Sequence, residues 1–203
     1  MKKVLLLLAN GYETYEASVF IDVIGWNYID GDRTTQLFTC GLTREIKTSF
    51  NQRSIVDFTI DGININDYDA LAIPGGFTDY DFYKDAYDER FLNIIREFDK
   101  KEKLIASVCV AALPLARSGI LEGRKATTYN KMNGIRQNEL EGYGVTLIKE
   151  PIVVDGNVIT SWNPSTAIHV AFLLLEILTN KENADYIKEI MGYKWIDISK
   201  YSW

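Results

Sequence analysis

The sequence predicts an α/β protein built as a three-layer sandwich, with a mainly parallel central sheet between two layers of helices. Short apolar runs alternate along the chain with longer segments whose apolar residues recur at helical spacing. The apolar runs are continuous, which is typical of parallel strands buried on both faces. The 203 residues contain no internal repeat, low-complexity tract or Pro/Gly/Ser-rich linker, so we expect one domain over residues 1–203.

The first half of the chain predicts strands and helices in alternation. After the first apolar run, Phe20 and Ile24 lie four residues apart, as on one face of a helix. Phe91 and Ile95 repeat the same spacing further along. The predicted elements are strands at 3–9, 35–41 and 70–73, extended or hairpin segments at 54–60 and 62–63, and helices at 16–30 and 88–101.

The second half continues the alternation and adds a hairpin. Asp155 and Gly156, at the centre of an alternating apolar segment, predict a two-residue β-turn. Pro164, Ser165 and Thr166 are typical of a helix start. The predicted elements are strands at 104–108, 126–128 and 145–147, a hairpin at 152–160, and helices after residue 109 to about 119, at 133–141, at 167–178 and at 181–191.

Charge and cysteine content exclude several classes of protein. Twenty-two Lys and Arg against 28 Asp and Glu give a net charge of −6, which leaves no positive excess for nucleic acid or an anionic membrane. Cys40 and Cys109 are too few for a disulfide framework, which favours a reducing compartment. The first apolar run is shorter than the roughly 7–15 residues of a signal peptide, and no later run spans a bilayer. We therefore expect a soluble, cytoplasmic protein.

Cys109 is the strongest candidate for a catalytic residue. It follows the apolar strand at 104–108, and small residues and a helix come directly after it. This is the pattern of a nucleophile elbow, in which a tight turn lifts the nucleophile above the sheet. The positive N-terminal end of the following helix is expected to favour the thiolate. Cys40, at the end of a predicted strand, is interpreted as a core residue.

Two other segments are expected to meet Cys109 at the carboxyl ends of the strands. The loop after the first strand carries Glu13 and Glu16, and a carboxyl group beside a thiol can act as a general acid or base. The second segment carries Gly75 and Gly76, whose backbone amides suit an oxyanion hole.

Five short motifs in this order resemble the ThiJ/PfpI superfamily, and together they span nearly the whole chain. They are LANGYETYE at 8–16, IPGG at 73–76, ASVC at 106–109, KATT at 125–128, and DGNVITS at 155–161 with PST at 164–166. The resemblance implies a flavodoxin-like fold of the class I glutamine amidotransferase type. It also implies a homodimer.

The resemblance assigns roles to individual residues. It implies that Cys109 is the nucleophile and that Glu16, preferred to Glu13 by its spacing from Gly11, is the acidic partner of the sulfur. The likeness also implies that the amides of Gly76 and Val110 stabilise an oxyanion. A protonated Glu16 would stabilise a thiolate without like-charge repulsion, and would equally hold a sulfinate.

The chain departs from the family pattern at its histidines. Peptidase-like members have a His directly after the Cys, where this chain has Val110. Members related to the human deglycase have a His after the Thr-Thr strand, where this chain has Tyr129. The one histidine, His169, lies in a predicted helix and is interpreted as structural. The two cysteines and the one histidine lie far apart in the sequence and lack the spacing of metal ligands. We therefore expect no metal and no cofactor.

Three functions are compatible with these residues. The first is a cofactor-independent glyoxalase or deglycase that acts on a small-molecule carbonyl substrate through Cys109 and Glu16. The second is a non-enzymatic redox sensor or stress-response protein in which Cys109 is oxidised. The third is an amidase or peptidase, which is disfavoured because the chain lacks the histidine base.

Aromatic residues are candidates for the pocket walls and for an interface. The pocket candidates are Tyr12, Tyr15, Phe77, Tyr129 and Trp162. The terminal segment at 193–203 is rich in Tyr and Trp, which is compatible either with packing on the core or with an interface or pocket lid.

Overall fold

The computed structural model describes residues 1–193, and its centre is a seven-stranded sheet. Eleven strands occur in these residues: β1 (Lys2–Leu8), β2 (Thr35–Gly41), β3 (Glu45–Lys47), β4 (Arg53–Ile55), β5 (Phe58–Thr59), β6 (Ala70–Ile73), β7 (Leu104–Ser107), β8 (Lys125–Ala126), β9 (Thr146–Leu147), β10 (Ile152–Asp155) and β11 (Val158–Ser161). The sheet order is β10-β11-β7-β6-β1-β2-β5, and β10 alone runs antiparallel to its neighbour. The pairs β3–β4 and β8–β9 form two small separate sheets.

Seven α-helices flank the sheet within the described residues. They are α1 (Thr14–Asp30), α2 (Phe82–Ala86), α3 (Glu89–Lys100), α4 (Ala112–Arg117), α5 (Ile135–Glu141), α6 (Pro164–Leu178) and α7 (Lys181–Ile190). Helices α1, α6 and α7 contact one another, and α3 contacts both α2 and α4, which also contacts α5. Between these two groups, every residue of β6 is buried, as the continuous apolar run predicted. Across residues 1–193, we find no helix both long and apolar enough to cross a membrane.

The parallel register brings three loops to one edge of the sheet. Strand β6 lies between β1 and β7, with Leu6 beside Ala72 and Ala72 beside Ala106. Because the three strands run in the same direction, their carboxyl ends lie side by side. The loops that follow them carry the Glu16 segment, the two glycines and Cys109, so the fold itself assembles the candidate site.

The structure confirms the predicted α/β fold and changes some of its details. Strands β2 and β6 have the predicted limits, and the hairpin forms at β10 and β11. The segment predicted as extended at 54–60 divides into β4, β5 and the start of a 3-10 turn at Ile60–Gly62, and the short strand β3 and helix α2 were not predicted. Of the aromatic terminal segment, only Tyr193 lies inside the described residues, where its ring contacts those of His169 and Phe172. The prediction for residues 194–203 concerns positions outside the described residues.

Candidate active site

Cys109 lies at a strained turn directly beyond β7. Its φ is +59°, a left-handed conformation that is uncommon for a residue with a side chain. It begins a 3-10 turn at Cys109–Ala111 that continues into α4, and its carbonyl accepts a 2.8 Å hydrogen bond from the hydroxyl of Thr128. A left-handed residue between a strand and a helix is the backbone shape that the predicted nucleophile elbow requires.

The carboxyl group of Glu16 is the second component of the site. Glu16 lies in the first turn of α1 and is fully buried. Its Oε2 accepts a 2.7 Å hydrogen bond from the backbone amide of Gly75. Its Oε1 is also buried and has no hydrogen-bond partner among residues 1–193. An unpartnered buried oxygen is costly, so this atom is available to a proton, a ligand or the neighbouring sulfur.

Gly75 lies where the nucleophile and the carboxyl group meet. A β-carbon at this position would lie 3.0 Å from the Cys109 β-carbon, from Glu16 Oε2 and from the Val110 nitrogen. Such contacts are tighter than ordinary van der Waals separations, so only glycine lets the three groups approach the backbone here.

Burial governs the ionisation of the pair. It raises the pKa of Glu16 to about 8, although the Gly75 amide acts in the opposite direction. Burial also raises the pKa of the Cys109 thiol, and the negative charge of an ionised Glu16 raises it further. The hydrogen bond from the Val110 amide lowers it but does not outweigh burial. The two groups therefore do not ionise together near neutral pH, and the thiolate stabilisation expected from the following helix is smaller than the effect of desolvation.

Two backbone amides border the space in front of the sulfur. Residues Gly76 and Val110 both line the cavity, and the Gly76 amide donates no hydrogen bond within the described part of the chain. Gly76 is held by an antiparallel bridge to Tyr12. The amide of Gly75, also considered as an oxyanion donor, is instead directed to Glu16. The predicted oxyanion donors that line the cavity are therefore Gly76 and Val110, and the Val110 amide also donates to the Cys109 sulfur.

The cavity above Cys109 has a volume of about 540 Å³. A cavity of this size fits a small-molecule substrate. Its lining residues are Glu13, Glu16, Gly76, Phe77, Thr78, Asp79, Cys109, Val110, Tyr129, Met132, Arg136 and Pro164.

Of the five aromatic pocket candidates, Phe77 and Tyr129 line the cavity and the other three do not. Tyr12 is buried in the core, where its hydroxyl hydrogen-bonds Ser54 at 2.8 Å. Tyr15 is exposed on α1, and Trp162 is partly buried outside the lining. These positions correct the predicted pocket walls, because aromatic identity alone does not indicate which way a side chain points.

The remaining candidates lie away from the cavity. His169 is exposed on α6 and absent from the lining. Cys40 is fully buried in β2, and burial raises the pKa of its thiol to about 12. Within residues 1–193, no group of three His, Cys, Asp or Glu side chains could hold a metal ion.

Several lining residues were not predicted from the sequence, and Met132 and Arg136 are the two most distant from any predicted motif. Met132 comes from the segment that joins β8 to α5, and Arg136 from the first turn of α5. Met132 and Asn133 have left-handed φ values of 55° and 58°. The one local signal was the Asn-Gly pair at 133–134, a turn pattern inside the segment predicted to be helical. Their approach to Cys109 depends on contacts distant in sequence.

Comparison with known proteins identifies similar chains. A model of the DJ-1/PfpI family matches residues 2–177. Protein DJ-1 homolog A of Arabidopsis thaliana is 28% identical over 191 residues, which cover 94% of this chain and 46% of that protein. Deglycase PH1704 of Pyrococcus horikoshii is 29% identical over 164 residues, which cover 80% of this chain and 91% of that protein. The crystal structure of Drosophila melanogaster DJ-1beta superposes with a TM-score of 0.82 at 24% identity, covering 96% of this chain and 99% of that one.

Length distinguishes this chain from several of those relatives. The matched segments cover 53%, 46% and 39% of three curated relatives, so the chain spans about half their length.

Proposed function

Because this chain belongs to the DJ-1/PfpI family, we propose that it is a cysteine-dependent enzyme that acts on small reactive carbonyl compounds, with 2-oxoaldehydes such as methylglyoxal as substrates. The observation that carries the proposal is the buried Glu16 carboxyl group held beside Cys109 at a cavity of about 540 Å³. The name of the relative Deglycase PH1704 supports carbonyl chemistry.

The reaction begins with addition of sulfur to the aldehyde. The reactive form of the pair has lost one proton, from Glu16, and the carboxylate takes the thiol proton as the sulfur attacks, so that Cys109 adds as thiolate and Glu16 then holds the proton. A carbon–sulfur bond forms, and the carbonyl electron pair moves to oxygen. The amides of Gly76 and Val110 stabilise that oxyanion. Glu16 then donates its proton to the oxygen, which gives a hemithioacetal and leaves the carboxylate.

Proton transfer between adjacent carbons follows. The Glu16 carboxylate removes the proton from the carbon bonded to sulfur, and the electron pair moves through the new C=C bond to the neighbouring carbonyl oxygen, which gives an enediolate. The hydroxyl proton of the first carbon passes to that oxygen, and return of the Glu16 proton to the second carbon gives a thioester of a 2-hydroxy acid. One carbon is oxidised and the other is reduced, so no external oxidant is needed. Water then cleaves the carbon–sulfur bond, releasing lactate from methylglyoxal and restoring the thiol.

The ionisation of Glu16 suits this role. A general acid and base works best when its pKa lies near the working pH, and burial raises that of Glu16 to about 8. The singly deprotonated pair is therefore a minor species at pH 7 and increases as the pH approaches 8. Tyr129, in the position of the family histidine, borders the cavity and is not needed as a base in this scheme.

The experiment measures methylglyoxal consumption and lactate formation at pH 8 by the purified protein and by Cys109→Ser. We expect turnover by the wild type and by the matched control Cys40→Ser, and only the uncatalysed rate with Cys109→Ser. Glu16→Gln is expected to lower kcat by about 100-fold or more. Unchanged turnover by Cys109→Ser would overturn the proposal.

A redox role for the same cysteine is the second candidate, and one observation favours it. The unpartnered Oε1 of Glu16 would donate a hydrogen bond, when protonated, to an oxygen of a Cys109 sulfinate. Two equivalents of hydrogen peroxide would supply the two oxygens and be reduced to water. This candidate predicts stoichiometric oxidation of Cys109 under mild peroxide without aldehyde turnover, and it fails if Cys40 is oxidised first.

Hydrolysis of amides or peptides is the weakest candidate. It requires a base that deprotonates the thiol and an acid that protonates a leaving amine, a task that histidine usually performs. His169 does not line the cavity. Hydrolysis of a chromogenic amide that Cys109→Ser abolishes would support this candidate.

We also propose that the protein forms a homodimer through α1. That helix exposes Ile21, Trp26, Tyr28 and Ile29, and between them lies Gly25. A β-carbon on Gly25 would meet nothing within 4 Å, so the subunit itself does not need glycine there. Glycine inside a helix is destabilising by about 1 kcal/mol relative to alanine. Close approach of a second copy would explain its presence.

A further inference from the structure

Arg136 on α5 supplies the positive charge of the cavity wall. Among the described residues that line the cavity, it is the one Lys or Arg side chain, whereas Glu13, Glu16 and Asp79 are carboxyl groups. A guanidinium group stays protonated at any physiological pH. The addition of a thiol to an aldehyde does not use this charge, so the proposed chemistry leaves Arg136 without a role.

The guanidinium is held in a fixed position by three neighbours. One terminal nitrogen donates a 2.7 Å hydrogen bond to Glu139 Oε2, and the other donates one of 3.2 Å to the hydroxyl of Thr78. The guanidinium carbon lies 5.1 Å from the ring centre of Tyr83, a cation–π contact. The hydroxyl of Tyr87 donates in turn to Glu139 Oε1 at 3.4 Å.

These contacts leave the guanidinium able to bind a ligand. It has five N–H groups, and hydrogen bonds to Glu139 and Thr78 occupy two of them. A guanidinium that is already held in position can donate two parallel N–H groups to a carboxylate with little loss of side-chain entropy. The Glu139 carboxylate offsets part of the positive charge of Arg136, but it also fixes the orientation of the guanidinium, as a preorganised binding site requires.

We propose that Arg136 binds a carboxylate on the substrate, so that the preferred substrate is a 2-oxoaldehyde that carries a carboxylate at its other end. This inference rests on the proposed function and names the substrate class of that site. The aldehyde carbon reacts with Cys109 while Arg136 holds the carboxylate. The overall reaction adds one water to the 2-oxoaldehyde and yields a 2-hydroxy dicarboxylate and a proton.

The test compares two substrates that differ in charge. One is 4,5-dioxopentanoate, a 2-oxoaldehyde with a carboxylate, and the other is its methyl ester, which is neutral. The wild type, Arg136→Gln and Arg136→Lys are assayed with both. The matched control is Arg90→Gln, which removes an exposed arginine outside the cavity lining and should leave kcat/KM unchanged for both substrates.

We expect Arg136→Gln to lower kcat/KM for the carboxylate about 10- to 100-fold and to change that for the ester by less than about twofold, because a hydrogen-bonded charge is lost. Arg136→Lys should retain part of the preference for the carboxylate over the ester, since lysine keeps the positive charge but lacks the planar pair of N–H donors. An equal loss with both substrates would overturn the inference, because it would mean that Arg136 only braces α5 against the Thr78 segment.

A binding measurement separates this inference from the reaction itself. Calorimetry with 4-oxopentanoate, which has the carboxylate but no aldehyde, needs no turnover. If the wild type consumes neither substrate, the proposed reaction fails. Weaker binding of 4-oxopentanoate by Arg136→Gln, about 10-fold or more, would still support the carboxylate site. Equal binding by the two proteins would overturn that site.

Discussion

The Glu16 carboxyl group and the Cys109 side chain lie against the same point of the backbone: a β-carbon on Gly75 would be 3.0 Å from both Glu16 Oε2 and the Cys109 β-carbon. Glu16 lies in the first turn of the helix that follows β1, and Cys109 in the turn that follows β7, and the parallel sheet brings these two segments to one edge. Burial raises the pKa of both groups, and the negative charge of an ionised Glu16 raises that of Cys109 further.

The stability of the protein is expected to fall as pH rises from about 4.5 to about 8. In that window Glu16 remains protonated in the folded state, whose pKa is about 8, but ionises in the unfolded chain. The folded state then binds more protons, so the free energy of unfolding decreases by up to ~1.4 kcal/mol per pH unit. Urea unfolding at several pH values measures this decrease in the free energy of unfolding.

Glu16→Gln is expected to flatten that pH dependence, because the amide does not titrate. The matched control is Glu89→Gln, which changes an exposed carboxyl group on α3. A slope that persists in Glu16→Gln would show that another group causes it.

Alkylation should distinguish the two cysteines. Iodoacetamide is expected to modify Cys109 in the folded protein, with a rate that rises with pH, because the thiolate is the reactive form. Cys40 is fully buried and its thiol has a pKa of about 12, so it should react only after unfolding. Peptide mapping by mass spectrometry gives both rates, and faster reaction of Cys40 would contradict the structure.

The same alkylation experiment tests the effect of Glu16 on the sulfur. An ionised Glu16 raises the pKa of Cys109, so Glu16→Gln should shift the pH midpoint of alkylation downward. Glu89→Gln should leave it unchanged. A midpoint that stays the same or moves upward in Glu16→Gln would mean that the two groups are not coupled.

Gly75→Ala is expected to lower kcat/KM by about 100-fold, because the new methyl group would displace the nucleophile, the carboxyl group or the Val110 amide. The backbone of Gly75 is not left-handed, so alanine is sterically allowed in the chain itself. Gly62→Ala is the matched control, since the nearest atom there lies 3.9 Å away. Full activity of Gly75→Ala would show that the close approach is not needed.

Gly25→Glu is expected to convert a dimer to a monomer. In an isolated subunit the substitution has open space and improves helix propensity, so it should not unfold the protein. Ile177→Glu, which changes an exposed apolar residue on α6, should leave the dimer intact. Light scattering after gel filtration measures the mass of the particle. If Gly25→Glu is still a dimer, this face of α1 is not the dimer interface.

Sequence patterns predicted the fold because its main signals are local. The buried run at β6 and the Asp155-Gly156 turn each specify structure within a few residues. Helix α2 was missed because it has five residues, follows the left-handed Asp81, and is too short for helical periodicity.

The site was predictable where residues adjacent in sequence act together. The Cys109 elbow was predicted from its own strand and turn, whereas the segment after β1 offered both Glu13 and Glu16, and the family resemblance selected Glu16. Arg136 was not predictable, because its approach to the cavity depends on Thr78 and Glu139, which hold it through contacts that sequence spacing does not show. Tyr12 failed as a pocket residue because its hydroxyl is satisfied by Ser54 inside the fold.

The most direct test of the account is a search for the covalent intermediate on Cys109. The protein is mixed with methylglyoxal for less than one turnover, quenched with acid and mapped by peptide mass spectrometry. We predict a mass increase of one methylglyoxal on the Cys109 peptide, removed by hydroxylamine as a thioester is, and absent from Cys109→Ser. Consumption of the aldehyde with modification confined to Arg and Lys side chains, and none on Cys109, would contradict the proposed function.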